Sequence, residues 1–226
     1  MDDENVKTAD TPGGRGLVLS IVATVIVVAA TALYIWRITY KPAYGATQSA
    51  QGAVAVSTLA NGQKAATVNL NILPAVGVGP NAPWLGYQTR TASPHPGTIF
   101  TLPAHALVTV IIHNFDGQTA LRNTFFTLVQ GTVGGTESVN GKPIKVMDPN
   151  LTSHTFTIAD LGVSVPMAGV PSNAKPTDYE TMKFTFRTGA PGHYRWQCIV
   201  PCGWGLYGNG GPMQEMGYMD GMITVA

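Results

Sequence analysis

The strongest constraint in this chain is a stretch without charge. Residues 16 to 36, GLVLSIVATVIVVAATALYIW, run for 21 positions with no ionisable Asp, Glu, Lys, Arg or His. At 1.5 Å rise per residue, about 20 apolar residues cross a bilayer core of roughly 30 Å. Arg15 closes one end, and Trp36, Arg37, Tyr40 and Lys41 stand at the other, where aromatic and basic anchors belong. A secretory signal also begins with an apolar run, and Ala30-Thr31-Ala32 has the look of a cleavage motif. However, the leading MDDENVKTAD is acidic and the apolar run continues past the motif as LYIW. The sequence therefore predicts an uncleaved transmembrane anchor over 16–36 behind a cytoplasmic tail, 1–15. Charge alone does not orient it, because Lys7 and Arg15 balance Arg37 and Lys41.

Beyond the anchor, residues 37–65 are mostly small or polar and read as a flexible linker. From residue 66 the hydrophobic period becomes two. ATVNLNIL, TIFTLPA, ALVTVIIHNF, TFFTLVQG, SHTFTIADLGV, KFTFRTG, HYRWQCIV and MITVA are short, rich in Val, Ile, Thr and aromatics, and separated by Gly, Pro and Asn. Such runs predict an all-β sandwich or barrel over 66–226, with long irregular stretches at 129–150 and 162–180. Charged residues make up 11% of the chain, the net charge is +1, and no Lys/Arg cluster appears. That leaves no electrostatic footprint for nucleic acid.

The chemistry concentrates in RWQCIVPCGWG, 195–205, which holds both cysteines. Strand alternation puts Tyr194, Trp196 and Cys198 on one face and His193, Arg195 and Gln197 on the other. Pro201 and Gly203 then turn the chain so that Cys202 can approach Cys198. A disulfide, a soft-metal clamp and a pair of buried thiols all fit this spacing. His95, His105 and His113 lie in loop-like contexts or at a strand end, and His193 faces away from Cys198. Asp116, Asp148 and Asp160 occupy turns (FDG, MDPN, ADLG), where Asp serves local hydrogen bonds. No nucleophile elbow, HExxH or paired acidic motif suggests hydrolysis.

The segment FTFRTGAPGHYRWQCIVPCGWG, with YMDGMITV near the end, resembles the copper-domain motif of haem–copper oxidase subunit II. The resemblance covers roughly residues 100 to 226 and implies a cupredoxin-like Greek-key β-sandwich on one N-terminal transmembrane helix, as in single-helix members. It further implies that Cys198 and Cys202 bridge copper, that Met219 supplies the thioether, and that the backbone carbonyl falls on Val200. The histidine before a His-x-Phe strand corresponds to His154, in SHTFTI. The second histidine is missing: Leu206 stands in its place, followed by an extra loop, YGNGGPMQEMG, carrying Met213 and Met216. The mononuclear blue-copper pattern fails at the same point.

The function implied is electron transfer by a non-catalytic subunit II-like component of a terminal oxidase or respiratory complex, with one or two copper ions in a modified site. Its expected partners are the lipid bilayer, an oxidase subunit I or another respiratory membrane complex, and a soluble electron donor. The expected location is the cell membrane, with the C-terminal domain on the periplasmic or extracellular side. Two alternatives stay open: a copper-free structural subunit with a Cys198–Cys202 disulfide, and a tethered copper-delivery protein. Trp204 and Tyr207 are candidates for a docking surface near the metal.

Overall fold

The computed structural model describes residues 14–39, 49–76, 84–92, 96–202 and 211–226. The chain divides into two units, Met1–Lys41 and Pro42–Ala226. In the first, the uncharged run forms helix α1, Gly14–Thr39. Its stretch Gly16–Trp36 has a mean hydropathy of 2.6, is not buried by the protein, and is long and apolar enough to cross a membrane.

The second unit is a sandwich of two sheets. The first contains seven strands: β1 (Val54–Thr58), β2 (Lys64–Val76), β3 (Trp84–Thr89), β5 (Leu107–Asn114), β6 (Glu137–Val139), β7 (Lys142–Ile144) and β10 (Glu180–Arg187). Their order is β1-β2-β5-β10-β6-β7, with β3 also on β2. The second sheet is β4-β12-β11-β8-β9, built from β4 (Ile99–Leu102), β8 (Thr152–Ile158), β9 (Val163–Ala168), β11 (Gly192–Gln197) and β12 (Asp220–Val225). The chain crosses between sheets at β3–β4, β4–β5, β7–β8, β9–β10 and β10–β11, so both layers interlock in the Greek-key manner expected.

Alternation explains the core. Along β5, Val108, Val110 and Ile112 are buried while Leu107, Thr109, Ile111 and His113 face outward. β8 is buried at all seven positions, since β11 and β9 flank it. Between the sheets Trp196 is fully buried, 4.7 Å from the ring of Tyr87 and stacked at 4.6 Å on Phe156. Its indole N–H donates to the Thr98 carbonyl at 2.9 Å, which satisfies the one polar group this large side chain brings inside.

Four local readings change. Residues 54–58, placed by sequence in the linker, form β1 and pair with Lys64–Val68 of β2. Four of its five residues are exposed, so backbone hydrogen bonds rather than apolar burial hold it, and no periodicity announces it. TFFTLVQG is not a strand: Asn123 accepts from Phe125 N and starts a 3-10 turn at Thr124–Thr127. The stretches expected to be irregular contain β6 and β7, joined by the two-residue Asn140-Gly141 turn, both with positive φ, and the fully buried β9. Pro166 fits in β9 because that strand lies at a sheet edge. The β3 strand, WLGYQT, was not anticipated; Gly86 interrupts its pattern and lies against the Tyr218 backbone. Of the rest of the expected linker, 37–39 end α1, 51–53 form a 3-10 turn, and 59–63 turn the chain from β1 into β2. Residues 64–65 begin β2, while 40–48 lie outside the described residues.

Gly221 is where the two central strands meet the aromatic core. A Cβ there would sit 2.1 Å from the Thr98 carbonyl oxygen and 2.7 Å from Trp196 Nε1. Gly221→Ala should therefore destabilise the sandwich by about 2 kcal/mol or more, as forced overpacking does. A lowered urea midpoint with unchanged slope would show it; an unchanged midpoint would refute it.

Candidate metal centre

The site forms at one end of the sandwich, where three segments arrive separately. His154 comes from β8, just after an irregularity in the β8–β9 register between Thr152 and His154. Such a bulge re-aims a side chain, here towards the cysteine loop. Cys198 follows the last residue of β11, and the loop after it is pinned on both flanks. Cys198 N donates to the Met219 carbonyl at 2.8 Å, and Ile199 N to Thr155 Oγ1 at 2.9 Å. Cys202 N donates to the thioether of Met213 at 3.3 Å.

These constraints bring the donors together. His154 Nδ1 lies 3.2 Å from Cys202 Sγ and 3.9 Å from Cys198 Sγ. The sulfurs are 2.9 Å apart and unbonded, against about 2.05 Å in a disulfide. The Val200 carbonyl oxygen sits 3.2 Å from Cys198 Sγ and 3.0 Å from Cys202 Sγ. His154, Cys198 and Cys202 are all buried, with ligand atoms within 4.8 Å of one another. Met219 is fully buried, and its main-chain carbonyl accepts from Cys198 N at 2.8 Å.

Asp116 is the residue that sequence reading underestimated. It sits in a turn, as expected, yet its Oδ2 lies 2.9 Å from His154 Nε2. With Nε2–H donating to Asp116, Nδ1 is the nitrogen that faces the sulfurs, the arrangement by which a carboxylate orients a metal-ligating imidazole once Nδ1 has lost its proton. No local pattern could reveal a partner 38 residues away in sequence.

Electrostatics follow from this packing. Burial disfavours charge on His154, but hydrogen bonds to Asp116 and Cys198 outweigh it and raise the imidazole to about 9. Burial also opposes a Cys198 thiolate, yet the Cys202 thiol and the His154 imidazolium bring it well below the usual thiol range. Cys202 is pushed well above that range by burial and by Cys198. Asp116 stays below its usual value because the His154 hydrogen bond and charge overcome its desolvation. Without a metal these directions favour a protonated His154 and a protonated Cys202 beside the charged forms of Cys198 and Asp116. Two thiols, an imidazole, a carbonyl and the nearby Met213 thioether form a soft donor set that fits copper. Before coordination, His154 and Cys202 would each have to lose a proton.

The remaining candidates lie elsewhere. His113 stacks on Tyr179 at 4.1 Å, His193 is exposed near Thr224 Oγ1, and His105 sits in a loop with φ of 52°. His95, Trp204, Leu206 and Tyr207 lie outside the described residues.

No family model matches the chain, and no curated protein does. Among solved structures it is similar to a chain of a heme-copper terminal oxidase dimer determined by cryo-EM, at 14% identity and TM-score 0.35, covering 94% of this chain and 97% of that one. It is similar to rusticyanin from Thiobacillus ferrooxidans at 16% identity and TM-score 0.31, covering 81% and 100%. It is also similar to auracyanin B at 19% identity and TM-score 0.26, covering 77% and 99%. Likeness at this level carries no ligand set or partner across, and the sandwich stands on its own strand pairing.

The Asp116–His154 pair gives the metal-free protein a pH signature. The imidazole of His154 is raised from 6.5 to about 9, so its ring 15N resonances in the reduced, metal-free protein should titrate near 9. In overall stability the loss as pH rises towards that value is offset by the lowered Cys198, whose contribution grows over the same window. Asp116→Asn, which removes the carboxylate charge, should bring the His154 titration down towards 6.5. An equal titration midpoint in wild type and variant would refute the pairing.

Proposed function

We propose that this chain is a membrane-anchored, cupredoxin-type electron-transfer protein. In this reading α1 lies in the bilayer and the sandwich stands on its periplasmic or extracellular face. Copper is held by His154, Cys198 and Cys202, with Met219 as thioether. The protein serves as a subunit II-like component of a haem–copper terminal oxidase or related respiratory complex, fed by a soluble electron donor. One observation carries the reading: an imidazole nitrogen, two sulfurs and a backbone carbonyl meet at one buried point. The Cys198-x3-Cys202-Gly203 and Met219-x-Gly221-x-Ile223-x-Val225 spacings support the subunit II assignment.

Bound copper would supply one-electron chemistry. The chain's own residues supply everything else. His154 presents Nδ1 because Asp116 occupies Nε2. Cys198 is fixed by the main chain of Met219 and by Thr155 N, 3.4 Å from its sulfur. That N–H stabilises the thiolate without adding a ligand. Trp196, stacked behind the loop, excludes water from the sheet side. A site so held changes charge with little rearrangement, which is what single-electron transfer requires.

The test is copper content with the visible spectrum and free-thiol count, on wild type and Cys198→Ser. The expected result is one or two coppers per chain with intense thiolate bands in wild type. In Cys198→Ser the bands should vanish while circular dichroism stays unchanged. Retained bands in the variant, or preference for a spectroscopically silent ion such as zinc, would overturn the assignment. No copper and no free thiols in wild type would establish the disulfide-stapled structural subunit instead.

A further inference from the structure

In the copper reading, on which this inference rests, the site is one donor short: Leu206 stands where the resembled motif has its second histidine. A different donor reaches the Cys202 side. The Sδ of Met213 accepts the Cys202 amide hydrogen at 3.3 Å. A thioether sulfur has two lone pairs, and one hydrogen bond leaves the second available. Three covalent bonds separate that amide nitrogen from Cys202 Sγ, so the thioether lies within a side chain's length of the cluster.

Met213 is also held in place. It closes a 3-10 turn, Gly211–Met213, in which Gln214 N donates to the Gly211 carbonyl at 3.0 Å. Gly211 presses against the indole of Trp84, where an added Cβ would sit 3.0 Å from the ring. The Pro212 carbonyl accepts from Met219 N at 2.8 Å, and Met219 in turn accepts from Cys198 N. Met213 itself packs against the main core. One backbone chain of hydrogen bonds therefore sets the Met213 turn and the Cys198 position together. A freely moving surface methionine would have none of these ties.

We propose that the Met213 thioether is a metal donor on the Cys202 side, taking the place of the absent imidazole. With Met219 kept as in that reading, the donor set becomes two thiolates, one imidazole and two thioether sulfurs, which suits a soft monovalent cation such as Cu(I). Silver(I) is the probe, because it shares that softness and does not change redox state under mild conditions.

The experiment uses the full chain in detergent micelles, reduced and labelled with 13C-methyl methionine. Methyl spectra are recorded during Ag(I) titration, and the Met213 resonance is assigned from Met213→Leu, or from Met213→Gln should the first not fold. The expected result is a Met213 methyl shift that saturates at a stoichiometric amount of Ag(I). Cu(I) affinity, by competition with a chromophoric chelator, should weaken by at least about tenfold in Met213→Leu, as loss of a metal-site group does. Stoichiometric Ag(I) binding that moves only Met219, or a variant that binds Cu(I) as wild type does, overturns the Met213 assignment and leaves the copper reading standing. Failure of wild type to bind either ion overturns both.

Discussion

The hydrogen bond between His154 Nε2 and Asp116 Oδ2 ties the rest of the site to the fold. Asp116 follows β5 of the seven-stranded sheet, while His154 lies on β8 of the five-stranded one. The contact therefore joins the two layers at the end where the cysteines arrive. Its neighbours repeat the tie: Asn114 Nδ2 donates to the Ala168 carbonyl at 2.8 Å, and Val170 N to the Asp116 carbonyl at 2.9 Å. An isolated ion buried here would cost several kcal/mol. The fold avoids that penalty by delivering opposite charges from both sheets to one place.

The aromatic core explains why the cysteine loop has a fixed base. Trp196 lies two residues before Cys198 and is locked by Tyr87, Phe156, Phe100 and the Thr98 carbonyl. Its strand cannot slip by one residue without turning the indole outward and Cys198 away from His154. Packing near Gly221 therefore sets the geometry of sulfur atoms that it does not touch. Tyr87 belongs to both worlds: it packs on Trp196, and its phenol is pushed well above the usual range by burial and by the nearby cysteines.

How much of this was legible in the sequence depended on the range of the interaction. The apolar run, and the strands β2, β4, β5, β8, β10, β11 and β12, are visible because burial imposes a period on neighbours in sequence. The outward β1 escaped because backbone pairing rather than side-chain burial defines it, and β3 because it is buried at nearly every position around Gly86 and so shows no alternation. The alternation in HYRWQC placed Cys198 inward, and the structure buries it beside Trp196. The SHTFTI motif singled out His154, but nothing local singled out Asp116, whose partner comes from another sheet. Met213 was visible only as one of several methionines, because its distinguishing feature is a contact with a backbone amide eleven residues earlier.

The protons held by the metal-free site also bear on what it could hold instead. Their surroundings favour a proton on His154 and on Cys202, while Cys198 and Asp116 are shifted towards their charged forms. Taking both protons away would add negative charge to a dry region, which is unfavourable without a cation. A cation entering the site would therefore replace those protons as the counter-charge, and binding and proton release become one event. Asp116 stands on both sides of that exchange: its carboxylate favours the proton on His154 while no cation is present, and it orients the same ring towards the sulfurs once that proton has gone.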